Sequence, residues 1–382
     1  MASSMGKKAK HDDRISKLPD SILSRVLSLL PIKDAVSTSI LSTRWRHLYA
    51  YLPSLDVDFH LLRRSPPHTV VSFTNFMDKL LFLHTEGRIE QFQLHHTNIL
   101  GINDSDVLGW ISAPLWRGVK EVDLVFGRCF PMLPTTLLYT NSGAVKRLLS
   151  SCPVLEDLSI SNCDLRNITS LEISSPSLKS LTLVFRCNMR ELQLFSSLDI
   201  VIDLPSLVYL KYRGFRAYSY SLGNMPSLVT ADINISVRKS EGQTIYRIHA
   251  LVELFEALGN VKSLCLTIHP EALPILSHKR FVAFQNLLHL EIFDRLNTWK
   301  GKGLFEFLEF SPNLQTLVTC KVSNEVSFPM EGVPSCIVYQ LKEFKVIDFD
   351  DESSLFEMVT YILNNAYSPG QAHNIYFSSI EV

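Results

Sequence analysis

The chain has 382 residues, 46% of them hydrophobic and 20% charged, longer than one compact domain ordinarily runs but within reach of an elongated repeat array. With 37 Lys and Arg against 38 Asp and Glu, its formal net charge of -1 removes the electrostatic basis for wrapping nucleic acid. No run approaches the eighteen or so apolar residues of a transmembrane helix and the first twelve residues lack the apolar centre of a secretory signal, so no membrane partner is expected, and the expected location is the nucleus and/or the cytoplasm.

Residues 1–12 (MASSMGKKAKHD) read as a disordered tail, in which Lys7, Lys8 and Lys10 form a small basic cluster open to two readings, a solvated end or an import signal. Pro19 and Asp20 then give a helix-start signal, followed by Ile22, Leu23, Val26, Leu29 and Leu30 on one apolar helical face. Pro31 is expected to end that helix. A second helical pattern runs from about Asp34 through Val36 and Ile40, and a third carries Trp45, Leu48 and Leu52. Three short helices in about forty residues enclose little core, which leaves apolar residues over for a partner.

This segment resembles an F-box, the helical module that docks a protein onto the Skp-type adaptor of a cullin-RING ubiquitin ligase. Its pattern, LPxxLLxxIxxxLP followed by a helix pair with a tryptophan, is matched here by Leu18, Pro19, Ile22, Leu23, Val26, Leu30, Pro31, Val36, Ser39, Leu41 and Trp45. The resemblance implies that these residues bind the adaptor. An ordinary three-helix cap with inward Leu and Trp is the bland alternative.

Beyond it the chain repeats the phrase L-x-x-L-x-L ten times. The copies begin at Ile89, Val119, Leu155, Leu178, Leu207, Leu228, Val261, Leu287, Leu314 and Leu341, spaced 21 to 36 residues apart. The copy at Leu155 extends to the fuller L-x-x-L-x-L-x-x-C-x-L with Leu158, Ile160, Cys163 and Leu165. This resembles the leucine-rich-repeat family, in which each unit adds a short strand whose alternate residues enter a shared core. Helical patterns precede several copies, at Val107–Trp116, Gly143–Ser151, Leu251–Leu258 and Gly303–Phe310, and a proline precedes many strands, as in Cys152-Pro153 and Ser311-Pro312. Together with the tail from Val333 to Ala366, a strand at Leu341–Ile347, an acidic turn and a helix ending in YILNNA, the repeats resemble plant F-box proteins that end in an FBD domain. The residues after that helix depart from the family's basic, apolar strand, although Ile375–Ile380 can supply a final one.

The fold expected is α/β: a three-helix F-box followed by a curved leucine-rich-repeat solenoid of short parallel strands alternating with helices. The divisions expected are a tail at 1–12, the F-box at 13–58, repeats at 59–325 and an FBD-like segment at 326–382.

Long interruptions of a repeat are where recognition concentrates, and three stand out, at 126–141, 209–224 and 294–303. In the second, Tyr212, Arg213, Arg216 and Tyr218 offer the residue types of protein hot spots and are the candidate substrate-binding residues, set against the reading that the aromatics pack as core. No nucleotide-binding, hydrolase-elbow or zinc-protease motif is present, so no enzyme activity, cofactor or metal is expected. The adjacent His95 and His96 fall on opposite faces of a strand, and the seven cysteines, odd in number and without C-x-x-C spacing, read as reduced core thiols.

What the resemblance implies is a substrate-recognition subunit of an SCF-type E3 ubiquitin ligase, itself without catalysis, binding a Skp-type adaptor, through it a cullin-RING ligase, and an unknown protein target. The alternative is a repeat protein that binds the adaptor or a small ligand without delivering a target for degradation.

Overall fold

The computed structural model describes residues 14–15, 17–58, 69–84, 88–96, 102–126, 149–163, 169–185, 198–215, 217–236, 244–268, 283–293, 302–320, 332–347, 352–366 and 374–378. At the N-terminus, helix α1 (Asp20–Leu27) starts at Pro19 and buries Leu23 and Leu27, four residues apart on one face. It stops at Ser28, before Pro31, which instead stands at the start of helix α2 (Ile32–Ser37) and leaves Ile32 and Ala35 buried. The third expected helix is a 3-10 helix over Trp45–Tyr51, preceded by a 3-10 turn at Thr38–Ile40.

Strand β1 (Ser54–Asp58) follows directly and opens a parallel sheet, so the last five residues of the expected F-box segment belong to the sheet. Leu52, Leu55 and Val57 are buried and fit the repeat phrase, an eleventh copy that the ten had not included. Next come β2 (Gln91–His96), β3 (Glu121–Phe126), β4 (Asp157–Cys163), β6 (Ser180–Phe185), β8 (Tyr209–Phe215) and β10 (Thr230–Ser236). They are followed by β11 (Ser263–Ile268), β12 (His289–Phe293), β13 (Thr316–Cys320), β14 (Glu343–Ile347) and β15 (Asn374–Ser378). Among the described residues these are twelve strands in chain order, all pairs parallel, with one register shift, between Ser161 and Cys163 where β4 meets β6. The first residue of every one of the ten copies is buried, from Ile89 to Leu341. β15 pairs with β14 and so supplies the final strand that the atypical C-terminus left open.

Each copy locks onto the one before through a shared carbonyl. Glu156 and Asp157 N–H both donate to Lys120 O, Lys179 and Ser180 to Glu156 O, Val208 and Tyr209 to Lys179 O, and the same pairing continues to Lys342 and Glu343 on Gln315 O. The prolines sit in a recurring turn just before: Cys152, Leu204, Met225 and Ser311 are buried, a proline follows, and their carbonyls accept from the leucine three residues on. One buried residue, one stiff proline and one buried leucine thus bring the chain into these four strands through the same turn.

Helices return the chain across the other side in the outer parts of the array: α3 (Thr69–Leu83), α4 (Asp104–Trp116), α5 (Thr244–Ala257), α6 (Lys302–Glu309), α7 (Ser335–Tyr339) and α8 (Glu352–Asn365). Of the expected helices, Val107–Trp116, Leu251–Leu258, Gly303–Phe310 and the C-terminal one have counterparts here, while most of Gly143–Ser151 lies outside the described residues. In the middle, where copies are spaced 23, 29 and 21 residues apart, the return is extended: β5 (Ser170–Ser174), β7 (Asp199–Asp203) and β9 (Ser219–Leu222) form a second parallel sheet. An extended residue advances about 3.3 Å and a helical one about 1.5 Å, so the two shortest units, of 23 and 21 residues, span the return with strands, and the 29-residue unit between them pairs with both. α5 ends this sheet, its Glu253 carboxylate accepting from the Tyr220 N–H at 3.2 Å.

One continuous core runs from Leu23 and Trp45 through the strands to Met358 and Ile362. The F-box helices are part of it. The 3-10 helix that carries Trp45 and Leu48 packs on α3, the helix of Phe73 and Met77, and α2 packs on β1. The His84 ring nitrogen Nε2 meets Leu52 O at 2.8 Å, and Trp110 donates to Asp78 at 2.9 Å while its ring stands edge-on to Phe73. Farther along, Phe284 stacks on Phe307 at 5.4 Å, and Phe305 meets Tyr361 edge-on at 5.0 Å.

Candidate functional site: an apolar docking face and a polar sheet face

Two surfaces stand out among the described residues. On α1, burying Leu23 and Leu27 turns Ile22 and Val26 outwards, and the turn after the helix adds Leu29 and Leu30 to the same row. Leu29 is 81% exposed and Ile22 44%. Ile40 and Leu41, on the 3-10 turn and just after it, are 86% and 66% exposed. A folded module that holds so much apolar surface in water, while its neighbours Ile32, Ala35 and Leu48 are inside, presents a face for a partner.

Of the residues assigned to adaptor binding, Pro19, Ile22, Val26, Leu30, Pro31 and Leu41 are exposed and Leu18, Val36 and Ser39 half-buried. Leu23 and Trp45 are buried, and this corrects their role: they hold the module together from inside and offer a partner no surface. Leu29 and Ile40, the most exposed apolar side chains of the module, were missing from that set. Their signal is positional: with Leu23 and Leu27 inside, residues 22, 26 and 29 must share the outer face.

The second surface is the open face of the long sheet. Its strands alternate, the leucine positions inwards and the variable positions outwards, which lines up rows such as Asp56, Gln93, Asp123, Ser159, Thr182, Lys211, Asp232, Cys265, Glu291, Val318 and Lys345, with β13 as an exception in which Val318 and Thr319 are buried beside Leu317. Of the first four strands, β1, β3 and β4 carry acidic residues here, and β2 carries Gln91, Gln93 and His95. Glu121, Asp123 and Asp157 face one another, and burial, with the two neighbouring carboxylates, pushes the Asp157 carboxyl above its usual range against the Ser180 hydrogen bond. His95 approaches Asp123 at 3.6 Å. His96 shares its strand, but its side chain lies outside the described residues.

From β8 onwards the face compensates its own charge. Lys211 pairs with Asp232 at 3.0 Å, which together with its hydrogen bond holds the ammonium above its ordinary pKa, and His289 meets Glu291 at 2.9 Å and holds that carboxyl low. Between Asp232 and Glu291 sits Cys265, its thiol pushed up to about 12 by burial and the two carboxylates. That corrects one of the expected core thiols, because Cys265 faces the open side of the sheet. Cys152 and Cys336 are core thiols, each donating to a backbone carbonyl, of Val119 and Leu308. Neither kind is a reactive thiolate at neutral pH.

The four candidate substrate-binding residues separate. Tyr212 is buried, edge-on to Phe185 at 5.8 Å and Tyr220 at 6.1 Å, and is withdrawn from the patch as a core residue. The phrase LVYLKY places it at the third inward position, so the repeat itself carried that information. Arg213 lies half-buried on the open face and Tyr218 is exposed on the short connection to β9, while Arg216 lies outside the described residues. So do 127–141 and 294–301 of the other interruptions, and Asp348, Asp350 and Asp351 of the acidic turn. Among the described residues no group of His, Cys, Asp and Glu is arranged to hold a metal ion, and no helix is long and apolar enough to cross a membrane.

A small helical module with an outward apolar face, fused through a common core to a parallel-strand solenoid, defines an F-box protein with leucine-rich repeats. Sequence comparison agrees on both halves: residues 15–48 match the F-box domain, and residues 132–370 match the leucine-rich-repeat domain described as At1g61320/AtMIF1, LRR domain. The chain belongs to the F-box/LRR-repeat family, whose plant members include proteins with an FBD segment. Among its relatives in Arabidopsis thaliana, the F-box/FBD/LRR-repeat protein At5g56420 is 27% identical over 93% of this chain and 89% of its own length. The F-box/LRR-repeat protein At4g14096 is 30% identical over 92% and 85%, and At4g14103 is 30% identical over 85% and 96%.

Proposed function

We propose that this chain is the substrate-recognition subunit of an SCF-type E3 ubiquitin ligase. The observation that carries the reading is the outward row Ile22, Val26, Leu29 and Leu30, with Ile40 and Leu41 beside it, on a module whose interior is already complete. Each such side chain fully buried by a Skp-type adaptor contributes roughly 1.5 to 3 kcal/mol, so a few anchors offset the cost of association. Because the F-box and the repeats share one core, the solenoid is held at a fixed station relative to the adaptor. Its part in the reaction is proximity: a target on the repeats is kept near the charged conjugating enzyme, and the chemistry is done by other subunits. A nuclear or cytoplasmic location goes with this reading.

Target capture is assigned to the open sheet face, with Arg213 and Tyr218 at its rim. The first test is co-purification with a Skp-type adaptor, wild type against a variant with Leu18, Pro19 and Ile22 changed to alanine, both checked for an unchanged unfolding midpoint. Binding lost only in the variant supports the reading; a folded wild type that does not bind the adaptor overturns it. Ubiquitination of a captured protein that depends on this chain separates a receptor for degradation targets from a protein that only occupies the adaptor.

A further inference from the structure

Pro19 starts α1 without a side-chain cap, because proline has no group to offer the free N–H groups of the first turn. The segment that carries Leu18, Pro19 and Ile22 is instead held from a distance. Arg44, one residue before the buried Trp45, reaches back across the module: its Nε donates to Asp20 Oδ1 at 2.8 Å and its Nη2 lies 2.7 Å from the same oxygen. The same Nη2 also donates to the Leu18 carbonyl. One guanidinium therefore grips both sides of Pro19, the carbonyl before it and the carboxylate after it.

We infer that Arg44 is a positioning residue for adaptor docking, a clamp that fixes the entry to α1 so that Leu18, Pro19 and Ile22 meet the adaptor in one arrangement. The inference rests on the adaptor reading above. Arg44 suits the task because its planar fork satisfies two acceptors at once, which the single ammonium of lysine does in no fixed geometry. Its neighbour Trp45 is anchored in the core, so the clamp ties the docking edge to the module's buried interior. Arg44 and Asp20 are substantially exposed, and an ion pair in such a position adds little to folding. Its effect falls on binding, where an ordered edge lowers the entropy lost on association.

The experiment measures adaptor affinity by calorimetry for the full chain with wild-type sequence, Arg44→Ala, Arg44→Lys, Asp20→Ala and the double variant Asp20→Ala/Arg44→Ala, with thermal unfolding of each. Arg44→Ala is expected to bind about five- to tenfold more weakly at an unchanged unfolding midpoint, and Arg44→Lys to recover part of the loss. The double variant is expected to lose no more than Arg44→Ala, because the two act through one contact. The deficit of Arg44→Ala is also expected to shrink at high salt. Wild-type affinity in Arg44→Ala, or additive losses in the double variant, overturns the clamp while leaving the adaptor reading intact. Failure of wild type to bind overturns that reading instead. Should Arg44→Ala unfold, Arg44→Lys and Asp20→Ala decide alone, and full affinity in both overturns the clamp.

Discussion

In the F-box, α1 buries Leu23 and Leu27 and turns Ile22, Val26 and Leu29 outwards, whereas in the solenoid every strand from β2 to β12 sends its leucine positions to one side and its variable, mostly polar positions to the other. The two regions draw on the same residue types. They differ in geometry: a short helix with apolar residues at more than one angle cannot hide them all in a module of this size, while a parallel strand with period two hides its leucine positions against the next repeat. Apolar surface in the F-box is consequently available for binding, and in the repeats it is spent on folding.

That contrast can be broken or sharpened experimentally. The largest effect is expected from the solenoid interior: Leu181→Ala or Leu210→Ala, both essentially fully buried, should lower unfolding free energy by about 2 to 5 kcal/mol in denaturant titration. A loss well under 1 kcal/mol would show that the sheet core is looser than its burial implies. Exchange of Leu29 and Ile40 for alanine should do the reverse, leaving stability within about 0.5 kcal/mol and weakening adaptor binding by about 2 kcal/mol or more. Gly214 offers an intermediate case inside a strand: an added Cβ would stand 3.1 Å from the Phe185 ring and 3.3 Å from its Cβ. Gly214→Ala should therefore cost about 1 to 3 kcal/mol through overpacking, and a neutral result would mean that Phe185 gives way.

The smallest effect concerns charge on the open face. The Asp157 carboxyl is raised in the folded chain, so its ionised form is the disfavoured one there, and Asp157→Asn should be neutral to slightly stabilising at pH 7. Any gain should vanish as pH falls below the ordinary carboxylate pKa of about 4, where the unfolded chain is protonated too. The Glu291 carboxyl is shifted the other way by His289, so its contribution is present above that range and lost on acidification through its lowered folded value. Comparing melting curves of Asp157→Asn and Glu291→Gln across pH 3 to 7 should give slopes of opposite sign; parallel slopes would contradict the two environments.

Much of this was legible in the residues. The phrase L-x-x-L-x-L named ten strands of the long sheet, and the buried first residue of each copy follows from it. The proline signals marked turns that recur with the same backbone bond, and Val107–Trp116 and Gly303–Phe310 read as helices because their apolar spacing is helical. Less legible was the second sheet, since a stretch such as SLEIS is apolar in alternation yet carries no separate repeat mark. The short length of two of its units, 23 and 21 residues, was the available clue, and the 29-residue unit between them carried none, since units of 27 residues hold helices.

The sequence by itself determined the periodicity: which positions along each strand or helix are apolar, where prolines interrupt them, and that the module at 13–52 carries more apolar residues than it can enclose. Only the tertiary structure decided which of those residues point outwards, because that depends on what packs on the opposite face. Leu23 and Trp45 went inside because α1 and the 3-10 helix that carries Trp45 pack on each other, Tyr212 because Phe185 and Tyr220 stand on either side of it, and Ile22, Leu29 and Ile40 were left out because no further element covers them among the described residues.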